Sequence, residues 1–95
     1  MKIKVKFLGP FFYWTDCKEI TLNIPQKSTI NELLVILAAR LGDTFNKKVT
    51  KEALNNKALQ RLICVNNYSI FNLKKLETEL KENDTISFLP PMAGG

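Results

Sequence analysis

Apolar residues and lysines alternate strictly over residues 2–7 at the start of the chain. Because successive side chains of a strand point to opposite faces, this pattern predicts a strand with one buried face. The predicted inward residues are Ile3, Val5 and Phe7. A similar alternation over residues 20–24, ended by Pro25, predicts a second strand. Residues 9–16 between them predict a turn or a long hairpin loop that carries four consecutive aromatic side chains.

The clearest predicted helix follows these two strands. Its apolar residues recur at helical spacing and form one stripe that can be buried against a sheet. They are Ile30, Leu33, Leu34, Leu37 and Leu41. Ser28 or Thr29 can cap the start, and Thr29 has the capping-box spacing to Glu32. Gly42 can take the left-handed conformation that ends a helix.

The second half of the chain predicts three further strands, over residues 62–65, 68–71 and 85–89, the last with Ile86 and Phe88 inward. Asn66-Asn67 predicts a tight turn, and residues 82–84 predict another. Residues 73–80 predict a short turn of helix or a loop. The polar stretch 45–59 predicts a short helix plus loop. Its weak apolar stripe consists of Val49, Ala53, Leu54 and Ala58.

The resulting order is strand, strand, helix, strand, strand, strand. One sheet with a helix across one face is an α+β two-layer solution. The helical crossover favours a parallel pairing, most simply between the first and last strands. A length of 95 residues fits one domain over residues 1–95, with an expected flexible tail at residues 90–95.

The amino-acid composition excludes several classes of catalytic and metal site. The chain has no histidine, which removes Ser-His and Cys-His nucleophile schemes and the usual zinc hydrolase sites. Cys17 and Cys64 lie far apart in sequence, show no metal-binding spacing, and are expected to be reduced structural thiols. No apolar run is long enough to span a bilayer and no signal peptide is visible, so the expected location is cytoplasmic.

The last six residues form the segment with the most specific chemistry. Pro90 and Pro91 cannot donate ladder hydrogen bonds and stiffen the exit of the chain from the last strand. Ala93, Gly94 and Gly95 have almost no side chain, so this tail can enter a narrow tunnel and approach a cofactor closely. The terminal carboxylate is ionised and can attack the α-phosphate of a nucleotide. The alternative is a frayed terminus that happens to end in two glycines.

Several motifs resemble the small subunit of molybdopterin synthase, a ubiquitin-like sulfur carrier of the MoaD/ThiS type. They are Val65-Asn66-Asn67, Leu76-Glu77-Thr78-Glu79-Leu80, Glu82-Asn83-Asp84 and Pro90-Pro91-Met92-Ala93-Gly94-Gly95. That family commonly has Val-Asn-Gly, Leu-x-Thr-x-Leu, Asp-Gly-Asp and a final Pro-Pro-x-x-Gly-Gly. The resemblance covers most of the chain and is weakest over residues 45–60. Asn67 and Asn83 replace glycines and are expected to supply the positive φ.

The resemblance implies a ubiquitin-like β-grasp fold and a carrier without catalytic residues of its own. A ubiquitin-activating-like enzyme would use ATP to adenylate Gly95, and a sulfurtransferase or persulfide donor would convert it to a thiocarboxylate. The large subunit of molybdopterin synthase would then take the sulfur for the dithiolene that binds molybdenum or tungsten. The chain itself is expected to bind no cofactor, metal, nucleic acid or membrane.

A docking patch for these partners is predicted beside the tail. If the first and last strands are parallel, the aromatic loop lies near the exit of the tail, and exposed aromatic and methionine side chains mark interfaces. The predicted patch consists of Phe11, Phe12, Trp14, Leu89 and Met92. The alternative is that two or more of the aromatics fold back and complete a small core.

Three other functions remain open from the sequence. A thiamin-type sulfur carrier would use the same tail for another acceptor, although such carriers are usually shorter and lack this Pro-Pro. A ubiquitin-like modifier would join Gly95 to substrate lysines. A nucleic-acid-binding module is suggested by the net charge of +5 and the aromatic residues. The aromatics fall in one segment and do not alternate with cations along a strand, which argues against that last function.

Overall fold

The computed structural model describes residues 1–50 and 56–90. Its strands are β1 (Lys2–Phe7), β2 (Glu19–Asn23), β3 (Ile63–Val65), β4 (Tyr68–Ser69) and β5 (Thr85–Phe88). Its helices are α1 (Pro10–Thr15), α2 (Ile30–Leu41), α3 (Asp43–Phe45) and α4 (Lys57–Arg61). The five strands form one mixed sheet in the order β2-β1-β5-β3-β4, with helices packed across it, which is the ubiquitin-like β-grasp fold predicted from the sequence.

Strands β1 and β5 lie side by side and run parallel. Val5 pairs with Ile86, and Phe7 pairs with Phe88. The other strand pairs in the sheet are antiparallel. The predicted parallel pairing of the first and last strands is therefore confirmed, and their carboxyl ends share one edge of the sheet.

Helix α2 begins and ends at the predicted residues. The Thr29 hydroxyl accepts from the Glu32 N–H at 3.3 Å, and the Glu32 carboxylate accepts from the Thr29 N–H at 3.3 Å, which completes a capping box. Gly42 ends the helix with a φ of 94°, but its ψ of −170° differs from the left-handed helical conformation that the sequence predicts. None of the helices described is both long and apolar enough to cross a membrane.

The core lies between the sheet and the helices. The inward side chains of β1 and β5 are at most 3 % exposed, and they contact the apolar stripe of α2. The stripe residues Ile30, Leu33, Leu34 and Leu37 are fully buried, whereas Leu41 is half-buried. Each such side chain contributes about 1.5–3 kcal/mol by leaving water, so the alternation and the helical stripe account for the packing of the two layers.

Residues 9–16 do not form the predicted loop. Pro10 occupies the first turn of helix α1, where its missing N–H costs nothing. The Thr15 hydroxyl donates to the Phe11 carbonyl at 2.9 Å, and the helix ends at Asp16, which has a φ of 53°. A six-residue helix of aromatic residues is not stable alone. Its buried Phe11 supplies the tertiary contact that local propensity does not show.

The segment after α2 is more helical than predicted. Helix α3 runs directly into a π-helical turn, Asn46–Thr50, which buries Val49, and helix α4 follows at Lys57–Arg61. Val49 was expected in the weak apolar stripe and is buried. Ala58 is exposed, so its place in that stripe was wrong. Ala53 and Leu54 lie outside the described residues.

The hairpin after β3 differs from the prediction in two details. Asn66, not Asn67, takes the positive φ of 58°. The Asn66 side chain accepts from the Thr85 N–H and donates to the Asp84 carboxylate, both at 3.1 Å, and so joins the hairpin to the next turn. The return strand β4 has only two residues, because the Ser69 hydroxyl accepts from the Phe71 N–H and starts a 3₁₀ turn, Ile70–Asn72.

The remaining turns agree with the sequence. Asn83 has a φ of 67°, as predicted for the position where the related family has glycine. A 3₁₀ turn at Lys75–Glu77 is the short turn of helix expected within residues 73–80.

Substitution of Phe11 tests whether α1 is anchored in the core. Phe11→Ala should lower the free energy of unfolding by about 3–5 kcal/mol, since it empties a buried aromatic site. Tyr13→Ala is the matched control on the same helix, because Tyr13 is 82 % exposed. Its effect should stay within about 0.5 kcal/mol. Urea denaturation followed by circular dichroism measures both, and equal losses would contradict the anchor. If Phe11→Ala does not fold, Phe11→Leu gives a smaller loss of the same sign.

Candidate functional site at the exit of the tail

The tail leaves the sheet at a point that is fixed on both sides. The Leu8 N–H donates to the Phe88 carbonyl at 3.0 Å, and the Leu89 N–H donates to the Leu62 carbonyl at 2.8 Å. Pro90 follows and is exposed. The sequence-predicted site residues Pro91, Met92, Ala93, Gly94 and Gly95 lie outside the described residues. The structure therefore places the origin of the tail, at Pro90, and not the reactive carboxylate.

Gly9 lies against the origin of the tail. A Cβ at this position would come within 2.6 Å of the Cβ of Pro90. Gly9 also has a φ of 57°, which L side chains rarely adopt. The backbone of β1 can therefore turn into α1 directly beside Pro90 only because this residue lacks a side chain. Sequence reasoning had assigned Gly9 to a turn without connecting it to the tail.

Below this exit lies a cluster of aromatic rings centred on Phe88. Its ring stacks on Phe7 with centroids 5.3 Å apart and contacts Phe11 at 5.5 Å and Phe45 at 5.9 Å. Aromatic pairs at these distances contribute about 0.5–1.5 kcal/mol beyond their buried area. The cluster fixes the end of β5 and so holds the origin of the tail in place.

The structure removes one residue, Phe11, from the predicted docking patch. Phe11 is 1 % exposed and belongs to the core, so its place in the patch was wrong. Its ring is enclosed by Phe88 and by Trp14, which packs edge-on at 5.3 Å. Trp14, Phe12 and Leu89 are half-buried. The alternative given by the sequence, that aromatics complete the core, holds for Phe11.

Two other apolar side chains are exposed near the exit. Leu8 is 41 % exposed and Tyr13 is 82 % exposed. For Leu8 the signal was present in the sequence, since a residue that continues the β1 alternation past Phe7 points away from the core. For Tyr13 no signal existed until α1 was known to be a helix with Phe11 on its buried side.

Lysines lie close to the aromatic side chains at this end of the molecule. The Lys48 ammonium is 5.5 Å from the centre of the Trp14 ring, and the Lys18 ammonium is 6.0 Å from that of Phe12. Cation–π contacts of this kind are worth about 0.5–1 kcal/mol at exposed sites. Two lysine ammonium groups are therefore held against aromatic rings of helix α1.

Residues 1–50 and 56–90 could supply catalytic chemistry through a metal-binding cluster or a reactive thiol. They contain no group of three or more His, Cys, Asp or Glu residues that could hold a metal ion. Cys17 and Cys64 are free thiols, and burial raises the pKa of the Cys64 thiol. A thiol with a raised pKa is mostly protonated at neutral pH and is a poor nucleophile.

A family model matches residues 5–95, and so includes the whole site and the Gly94-Gly95 end. The chain belongs to the ThiS family. ThiS-family chains are ubiquitin-like sulfur carriers, a group that includes the molybdopterin synthase small subunits. A comparison with curated proteins gives no match for this ThiS-family chain.

Solved structures similar to this ThiS-family chain share its fold. Small archaeal modifier protein 1 of Haloferax volcanii superimposes with a TM-score of 0.75 at 12 % identity, over 96 % of this chain and 98 % of that one. Urm1 of Trypanosoma brucei superimposes with a TM-score of 0.71 at 17 % identity, over 99 % of this chain and 95 % of that one. One chain of the Helicobacter pylori complex of subunits 1 and 2 of the molybdopterin-converting factor superimposes with a TM-score of 0.63 at 24 % identity. The superposition covers 100 % of this chain and 100 % of that one.

Substitution of Gly9 tests whether its contact with Pro90 fixes the tail. Gly9→Ala and Gly42→Ala both place a side chain at a positive φ, which costs about 1–3 kcal/mol. Only Gly9→Ala also meets Pro90, since nothing lies within 4 Å of a Cβ at Gly42. We expect the greater loss of stability for Gly9→Ala, together with shifted Leu8 and Leu89 amide resonances, because these two N–H groups donate at the exit of the tail. Equal losses with unshifted resonances would show that the contact does not position the tail.

Proposed function

We propose that this chain carries sulfur as a thiocarboxylate on Gly95 and acts as the small subunit of a molybdopterin synthase. One observation supports this most strongly. The Pro90-Pro91-Met92-Ala93-Gly94-Gly95 motif begins where β5 leaves the centre of a β-grasp sheet, within the part of the chain that the family model matches. A tail whose last three residues have almost no side chain, starting from a fixed point, can reach into the active site of another protein.

The proposed activation uses the Gly95 carboxylate and ATP. A carboxylate oxygen attacks the α-phosphorus, pyrophosphate leaves, and an acyl-adenylate forms. Hydrosulfide then attacks the acyl carbon, AMP leaves, and the thiocarboxylate remains. With a persulfide donor, the terminal sulfur attacks the acyl carbon, AMP leaves, and an acyl disulfide forms. A second thiol of the donor then attacks the donor's own sulfur, which forms a disulfide in the donor and releases the thiocarboxylate. The adenylating enzyme and the sulfurtransferase supply these reactions, and ATP is their substrate.

The tail sequence favours a molybdopterin synthase over a thiamin-type carrier. The Pro-Pro before the final residues resembles the molybdopterin synthase small subunit, and thiamin-type carriers usually lack it. The partner would be the large subunit, whose active site receives the thiocarboxylate and transfers its sulfur to a cyclic pyranopterin precursor. ATP-dependent activation of this kind belongs in the cytoplasm.

A second candidate is a protein modifier. The similarity in fold to small archaeal modifier protein 1, at a TM-score of 0.75, supports it. The chemistry is shared up to the acyl-adenylate. A lysine amine would then attack the acyl carbon in place of sulfur, AMP would leave, and an isopeptide bond would join Gly95 to the substrate.

Incubation with ATP, sulfide and the host's adenylating enzyme tests the proposed function. Intact mass spectrometry should show a mass gain that corresponds to replacement of one oxygen by sulfur, because the acyl-adenylate is an activated electrophile. A chain that lacks Gly95 should show no gain. The absence of a gain in the full chain, with the enzyme active on another carrier, would contradict the proposal.

Leu89→Ala and Met92→Ala test whether the residue before the tail and a residue within it contact the large subunit. Each should weaken binding to that subunit by about fivefold or more, since truncation removes apolar surface that binding would take out of water. Because Leu89 is half-buried, the melting temperature of the Leu89→Ala variant is measured in parallel. Val35→Ala is the control, because Val35 is 59 % exposed on α2. A large loss of stability without a loss of binding would assign Leu89 to the core.

A further inference from the structure

A groove of about 530 Å³ lies beside helix α1. We call this surface the α1 groove. Its walls include Lys6, Leu8, Phe12, Tyr13, Lys18 and Glu19. The proposed function assigns no role to it.

The α1 groove is continuous with the origin of the tail. Gly9 lines the groove and also lies against Pro90, where the tail leaves the sheet. A protein that holds the tail must approach this edge of the sheet. The groove is therefore within reach of any partner that binds the tail.

The apolar side chains of the groove are exposed, and the helix α1 that carries Tyr13 is anchored in the core. Tyr13 is 82 % exposed and Leu8 is 41 % exposed, and Tyr is among the residues most enriched at interfaces. On the opposite side of α1, Phe11 is buried in the core and the Thr15 hydroxyl donates to its carbonyl. Since the helix is already ordered, a partner loses little entropy in binding to it.

The charged part of the groove is positive. Glu19 forms an ion pair with Lys4 at 4.0 Å. Within residues 1–50 and 56–90, neither Lys6 nor Lys18 forms an ion pair. The whole chain has a net charge of +5. A partner that surrounds an apolar side chain with carboxylates complements this arrangement.

We propose that the α1 groove binds an acidic segment of the adenylating enzyme, with an apolar or aromatic side chain against Tyr13 and carboxylates beside Lys6 and Lys18. This inference rests on the proposed function. We choose the adenylating enzyme as the partner because sulfur transfer to a pterin or thiamin precursor and conjugation to a lysine all require the same adenylation of Gly95.

Two pairs of matched variants test the groove on the full chain. Lys6→Glu/Lys18→Glu changes the groove, and Lys27→Glu/Lys74→Glu makes the same change of net charge at exposed lysines that do not line it. Tyr13→Ala is compared with Tyr68→Ala, since Tyr68 is 67 % exposed on β4. The dissociation constant for the host's adenylating enzyme is measured at low and high salt, and sulfur loading is measured by intact mass in the same samples.

We expect Lys6→Glu/Lys18→Glu to raise the dissociation constant about tenfold or more at low salt, with a smaller effect at high salt. Tyr13→Ala should raise it about fivefold, and the two controls should leave it unchanged. Normal loading with equal affinities for groove and control variants would overturn the groove inference and leave the proposed function standing. No binding and no loading of the unaltered chain would overturn both. Loss of host RNA binding in Lys6→Glu/Lys18→Glu, with enzyme affinity unchanged, would assign the groove to nucleic acid and overturn the inference.

Discussion

The hydrogen bond from the Leu8 N–H to the Phe88 carbonyl, 3.0 Å long, lies at the shared carboxyl end of the parallel pair β1 and β5. This pairing determines where the tail leaves the molecule, because β5 lies at the centre of the sheet. The tail therefore starts between the end of β1 and Leu62, whose carbonyl accepts the Leu89 N–H. A carrier needs its reactive end to project from a fixed position, and a central strand supplies one.

The aromatic cluster and Gly9 both help to fix the position where the tail leaves the sheet. Phe88 is held from below by Phe7, Phe11 and Phe45, so the end of β5 cannot move without opening the core. Above it, the missing side chain of Gly9 leaves room for Pro90. Gly9 also caps the start of α1, and the exposed Tyr13 of that helix lines the same groove as Gly9. The fold thus places an apolar and basic surface next to the tail.

Those parts of the fold that depend on local periodicity could be predicted from the sequence. The alternation in β1 and β5 and the stripe and capping box of α2 specify their own buried faces. Helix α1 could not be predicted, since six aromatic-rich residues form a helix only when Phe11 enters a core made by distant strands. Asn66 takes the positive φ in place of Asn67 for a similar reason, because its side chain bonds across the sequence to Asp84 and Thr85. Of the predicted site, the structure describes the origin of the tail at Pro90, whereas the Gly94-Gly95 end lies outside the described residues and stays a prediction. The contact of Gly9 with Pro90 could not be predicted, because it joins residues 81 positions apart.

The central claim is that sulfur travels on Gly95. The most direct measurement is top-down mass spectrometry of the chain isolated from its native host under conditions that demand molybdenum or tungsten cofactor. The account predicts a population in which one oxygen is replaced by sulfur, with the change localised by fragmentation to Gly95. Finding Gly95 only as an unmodified carboxylate, or only in isopeptide bonds to lysines of other proteins, would contradict it.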